Sequence, residues 1–155
     1  MQIRVICCGN PFRGNDAAGL HVLAGIQKRC PDLDAVDGGM GGLGLISLME
    51  GYDRIIIVDA TAGIGEIGDV QVFRDGIPAW DGPDASFHDV GVAEAVAVGK
   101  AIGVAPRVIL VGIEGGVTMP LSEVMDPEVE RAVPRACSAV LEIVREWGIC
   151  EKISD

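Results

Sequence analysis

A doubly wound α/β domain is what this sequence predicts, and three observations predict it. Segments with the residue pattern of strands alternate along the chain with segments of helical apolar spacing, the order that builds a mostly parallel sheet. Two strand segments, residues 54–59 and 107–113, are continuous aliphatic runs rich in Ile and Val, as expected of strands covered on both faces. Aromatic residues make up only 4% of the chain while 22 positions are glycine, so the core must come from aliphatic side chains joined by many tight turns. The expected architecture is one domain over residues 1–155. It has five strands, mostly parallel, with helices on both faces and one antiparallel edge strand.

Each element follows in order. Residues 2–8 read as the first strand, ending at Gly9. Asn10-Pro11 and Gly14-Asn15 then mark a loop, and a helical pattern begins near Asp16, which is placed as its N-cap. Leu20, Val22, Leu23 and Ile26 carry the apolar face towards Arg29, and Pro31 stops the helix. Residues 33–37 read as a short strand, followed by a glycine-dense loop at 38–42 and a short helix near 43–50. The run 54–59 is the central strand, with Asp59 at its end. Residues 69–74 alternate with period two, the pattern of a half-exposed edge strand. An irregular stretch with Pro78, Trp80 and Pro83 leads to His88, then come a helix over 89–102, a buried strand over 107–113 and a helix over 128–146 behind Pro127. Gly148 ends that last helix.

The totals exclude some functions. A net charge of −11, with 12 Lys and Arg spread along the chain, is the opposite of a phosphate-binding footprint, so no nucleic-acid partner is expected. No segment reaches the ~18 apolar residues of a membrane span, and the N-terminus runs straight into a strand instead of a signal peptide. A cytoplasmic protein is expected. Cys7, Cys8, Cys30, Cys137 and Cys150 are odd in number and irregular in spacing, which predicts free thiols. Cys7 and Cys8, adjacent on a strand, should point to opposite faces.

In open α/β sheets ligands bind beyond the carboxyl ends of the strands, where the strand order reverses. Asp59 ends the central strand and Asp16 follows the loop leaving the first one, so both approach one crevice if those strands are neighbours. His88 stands in a polar turn before a helix, whereas His21 lies within the first helix and reads as structural. Taken singly, Asp16 is a helix cap, Asp59 a loop-capping acid and His88 a surface histidine. Taken together, two carboxylates and an imidazole form a divalent-metal pocket with open coordination positions, suited to Ni²⁺ or Zn²⁺.

Two glycine patterns compete. The loop from Gly9 to Asp16 has the spacing of a phosphate loop, but Asn15 and Asp16 replace the Lys and Ser/Thr, and an acid repels phosphate. The run from Gly39 to Gly44 fits a dinucleotide fingerprint with Asp59 twenty residues beyond Gly39, but the strand before it is short and 155 residues leave no room for a catalytic domain. Neither a Gly-x-Ser-x-Gly elbow nor a His-Glu-x-x-His helix is present.

Gly9-Asn10-Pro11 through Gly19, Asp37-Gly38-Gly39, Ile56-Ile57-Val58-Asp59-Ala60 and His88-Asp89-Val90-Gly91 occur in this order over nearly the whole chain, and together they resemble the hydrogenase maturation proteases. The resemblance implies a peptidase, an aspartyl-type endopeptidase that removes a C-terminal extension from the large-subunit precursor of a nickel-iron hydrogenase after nickel insertion. It also implies that Asp16, Asp59 and His88 are both catalytic and nickel-binding, the nickel being carried by the substrate. Zinc or cadmium is expected to occupy the same donors in vitro. Asn10, Asp37, Gly38, Gly39 and Gly41 would position the substrate segment. The family usually has two successive acids after the first loop, whereas here Asn15 precedes Asp16, and the second acid is the one that aligns with the ligand. That departure keeps open a non-catalytic module that holds the metal-loaded precursor without cutting it.

Overall fold

The computed structural model describes residues 1–77, 87–117 and 120–149, and of residues 87–90 the backbone alone. Five strands form one sheet: β1 (Ile3–Cys8), β2 (Ala35–Gly39), β3 (Arg54–Thr61), β4 (Val70–Phe73) and β5 (Arg107–Glu114), in the order β2-β1-β3-β5-β4. All neighbours are parallel except β4, which runs antiparallel to β5 at the edge, as its alternating pattern predicted. The helices are α1 (Ala18–Arg29), the five-residue α2 (Leu45–Met49), α3 (Phe87–Ala101) and α4 (Pro127–Glu146).

The sheet separates two apolar cores. On one face Val5, Cys7, Ile56, Val58, Ile109 and Val111 pack with Val22 and Ile26 of α1 and with Val129, Val140 and Val144 of α4. On the other, Ile6, Cys8, Ile55, Ile57 and Leu110 pack with Leu45 and Met49 of α2 and Val92 and Ala95 of α3. Helices therefore cover both faces, which is why β3 and β5 can be continuously apolar. Cys7 and Cys8 fall into different cores, as strand alternation requires. At the α1–α4 crossing Gly25 lets the helices approach so closely that an added methyl would lie 2.6 Å from Cys137 Sγ.

Several expected boundaries move. The first helix begins at Ala18 rather than Asp16, because residues Gly14–Ala17 form a 3-10 turn entered through Gly14 at φ +55°. Asp16 is therefore not an N-cap; that position is Ala17, which makes no side-chain cap. β2 starts at Ala35 rather than Leu33, since the Leu33 N–H donates to the Cys30 carbonyl in a turn closing α1 and its side chain enters the core. β3 continues past Asp59 to Thr61, so the acid lies within the strand, opposite Gly112 of β5. Cys7, Cys8 and Cys137 are free and buried, but Cys30 is disulfide-bonded, which corrects the expectation of free thiols throughout; Cys150 lies outside the described residues. No helix among the described residues is long and apolar enough to cross a membrane.

Candidate active site at the switch between β1 and β3

From β1 the chain crosses by α1 to β2 on one side, and from β2 it returns to β3 on the other. The strand order reverses between β1 and β3, which opens a crevice above their carboxyl ends. Two glycines let the chain pack closely at these strand ends. A methyl at Gly19 would collide with the Cys8 carbonyl oxygen and stand 3.2 Å from that of Val58. One at Gly9 would collide with the Asp16 carbonyl oxygen. The start of α1 can thus sit directly on the ends of β1 and β3.

This packing buries both predicted acids, Asp16 at 1% and Asp59 at 2% relative exposure. The turn that carries Asp16 packs on β3, and Asp16 Oδ2 accepts the Asn10 N–H at 3.1 Å. Asp59 Oδ1 accepts the N–H of Ala60 at 2.8 Å. By strand alternation the Asp59 side chain shares the face of Ile55 and Ile57, the face covered by α3. Burial, followed by the charge of Asp59 and, more weakly, that of Asp16, pushes the neighbouring Cys8 thiol far up. Both carboxylates are therefore in electrostatic reach of one sulfur, and that sulfur stays a thiol. A cysteine nucleophile needs the opposite environment.

His88 lies in the first turn of α3, not in the turn before it, and its side chain is outside the described residues. Among the described residues no group of three or more His, Cys, Asp or Glu is placed to hold a metal ion.

The residues expected to position substrate surround the same end of the sheet. Asn10 Oδ1 accepts the Phe12 N–H at 2.9 Å, and its Nδ2 is 3.9 Å from Met40 Sδ. The Gly9 N–H donates to the Gly39 carbonyl at 2.8 Å, tying the first loop to the second. Asp37 Oδ1 accepts the Gly39 N–H at 2.7 Å, so this exposed acid folds back on its own turn. Gly39 and Gly41 adopt φ of +62° and +83°, a region that side chains rarely adopt, and Gly38 packs against Ile6 and Cys8. The glycine run opens only the five-residue α2, too little helix for a dinucleotide fingerprint.

Glu114 was not anticipated. It is 1% exposed at the end of β5 and accepts four hydrogen bonds, from Thr61 Oγ1 (3.1 Å) and from the N–H groups of Gly63 (2.9 Å), Ile64 (3.0 Å) and Gly116 (2.8 Å). It fixes the loop that leaves the strand bearing Asp59. A lone acid after an apolar run has no pattern that would announce such partners.

Loops at this end also expose apolar side chains: Phe12 after β1, Met40 and Leu43 after β2, and Val117, Leu121 and Val124 after β5. Apolar groups left in water around a cleft are typical of surfaces that receive another chain.

Comparison with known proteins agrees with this architecture. The family model described as hydrogenase maturation protease matches residues 21–143. The hydrogenase 2 maturation protease of Escherichia coli K12 is 29% identical over 155 residues, with 96% of this chain and 94% of that protein covered. The hydrogenase expression/formation protein HupD of Bradyrhizobium diazoefficiens is 27% identical, with 96% and 80% covered. Among solved structures, the hydrogenase maturating endopeptidase HybD from E. coli superposes with a TM-score of 0.82 at 26% identity, over 96% of this chain and 94% of that one. The [NiFe] hydrogenase maturation protease HybD from Thermococcus kodakarensis, at 20% identity and a TM-score of 0.73, supports the fold alone. With a family model spanning most of its length and full-length relatives sharing its sheet, this chain belongs to the hydrogenase maturation proteases and is a peptidase.

Proposed function

We propose that this protein removes the C-terminal extension of a nickel-iron hydrogenase large-subunit precursor in the cytoplasm, and that Asp16, Asp59 and His88 engage the nickel carried by that precursor. The observation that carries the reading is the burial of two carboxylates, from segments far apart in sequence, in the crevice where the strand order reverses. Buried acids brought together repel each other, and a divalent cation relieves that repulsion. Carboxylate oxygens and an imidazole suit nickel as well as zinc or cadmium. The surrounding apolar side chains suit a protein substrate.

Docking of the loaded metal between these side chains holds the scissile peptide beside them and makes cleavage effectively intramolecular. Water is the attacking group in peptide hydrolysis, and a carboxylate of the pair would take its proton. Asn10, Asp37, Gly38, Gly39 and Gly41 shape the second wall of the crevice, where the extended tail would lie.

The test is to incubate the protein with nickel-loaded and nickel-free large-subunit precursor and to read tail loss by intact mass. Loss is expected from the loaded form only, and Asp16→Ala or His88→Ala should abolish it with the circular dichroism spectrum unchanged. Full activity in both variants removes these residues from the mechanism. Stable binding of the precursor without any cleavage replaces the protease reading by that of a holding module.

A further inference from the structure

We infer that Asn15 is a positioning residue: its carboxamide joins the turn bearing Asp16 to the N-terminus of α4, a task that requires an amide because an acid, Asp126, stands opposite. Asn15 is 8% exposed, and its side chain is directed towards α4. Its Nδ2 donates to the Gly115 carbonyl at 2.9 Å and to Asp126 Oδ2 at 3.0 Å, while its Oδ1 accepts the Asp126 N–H at 2.8 Å. Asp126 is the N-cap residue of α4, yet its carboxylate makes no cap within that helix.

Backbone contacts reinforce the clasp. The Gly14 N–H donates to the Ser122 carbonyl at 2.7 Å, and the Ser122 N–H donates to the Phe12 carbonyl at 2.8 Å. Asp16 thus sits on a turn held from behind by Gly115, Ser122 and Asp126.

A carboxylate at position 15 would keep the acceptor but lose the donor. It would face a second carboxylate and a carbonyl oxygen at the distances where the amide now donates to both. Like charges and unmatched lone pairs at that separation are repulsive, and movement of the turn to relieve them would carry Asp16 with it. The asparagine is therefore matched to Asp126 and leaves the crevice its acid.

The inference takes one of its two readouts from the proposed cleavage. Asn15→Asp, Asp126→Asn and the double variant are compared with the wild-type protein, well below their melting temperatures. One readout is the precursor cleavage rate. The other is the amide resonance and exchange rate of Asn10, whose N–H bonds to Asp16 and so reports its place. Asn15→Asp is expected to slow cleavage at least about tenfold. It should also speed Asn10 exchange and leave the β3 amides unchanged. In the Asp126→Asn background the same substitution should have less than about a third of that effect on a logarithmic scale. Equal effects in both backgrounds, or a lowered melting temperature with cleavage and the Asn10 amide unchanged, overturn the inference. A wild-type protein that cuts no precursor defeats the proposed function and leaves the amide readout to decide this one.

Discussion

At the scale of single residues, Glu114 shows how a buried acid can organise a loop. Its two oxygens each accept two hydrogen bonds, three of the four donors being backbone N–H groups. Whichever oxygen Glu114→Gln turns into an amino group, two donors then meet a donor. Thr61 can rotate its hydroxyl away, but Gly63, Ile64 and Gly116 cannot turn their N–H groups. A loss of about 2–4 kcal/mol is expected in chemical denaturation, with the denaturant slope unchanged. A loss below about 0.5 kcal/mol, the level of a neutral surface change, would show that the loop is held by other means. Residue-scale legibility follows from the same contrast. Asp16 and Asp59 could be assigned to one end of the sheet from sequence because strand ends and switch points have patterns. The partners of Glu114 and Asn15 could not, since most of them are loop groups brought near by tertiary folding.

At the scale of elements, the long aliphatic strands were legible and the short connections were not. The runs 54–59 and 107–113 read correctly because a strand covered on both faces leaves little room for another pattern. β2 slipped by two positions because Leu33 looks like a strand residue and functions as a core plug in a turn. The cap reading of Asp16 failed because the sequence of a 3-10 turn differs little from that of a first helical turn. Gly19 is where element packing can be tested. An alanine there should add up to about 1 kcal/mol of helix propensity. Its methyl would also strike the Cys8 carbonyl, an overpacking cost of about 1–3 kcal/mol. Gly19→Ala is therefore expected to lower the melting temperature. Gly44→Ala, with nothing within 4 Å of the added methyl and no positive φ, should leave it unchanged or slightly raised. Equal melting temperatures would mean that α1 can slide off the strands at little cost.

At the scale of the whole molecule, stability is graded outward from β3. That strand is paired on both sides, by β1 and β5, and buried on both faces, whereas β2 and β4 each have one neighbour and are largely half-exposed. Amides of residues 56–58 are expected to exchange only through global unfolding, at least about tenfold more slowly than those of residues 70–73. Uniform protection across the sheet in a hydrogen-exchange time course would contradict this grading. The acidic net charge of −11 belongs to this scale too, and bears on colloidal behaviour more than on the crevice.

The reversal of strand order has one more consequence. Asp16 and Asp59 reach the crevice from a loop after β1 and from within β3, strands that are neighbours in space but separated along the chain by α1, β2 and α2. No short stretch of polypeptide contains both acids: residues 1–50 hold Asp16 but neither Asp59 nor the strand that carries it. The two acids come to the same end of the sheet only when β1 and β3 pair, so a truncated or unfolded copy lacks that arrangement.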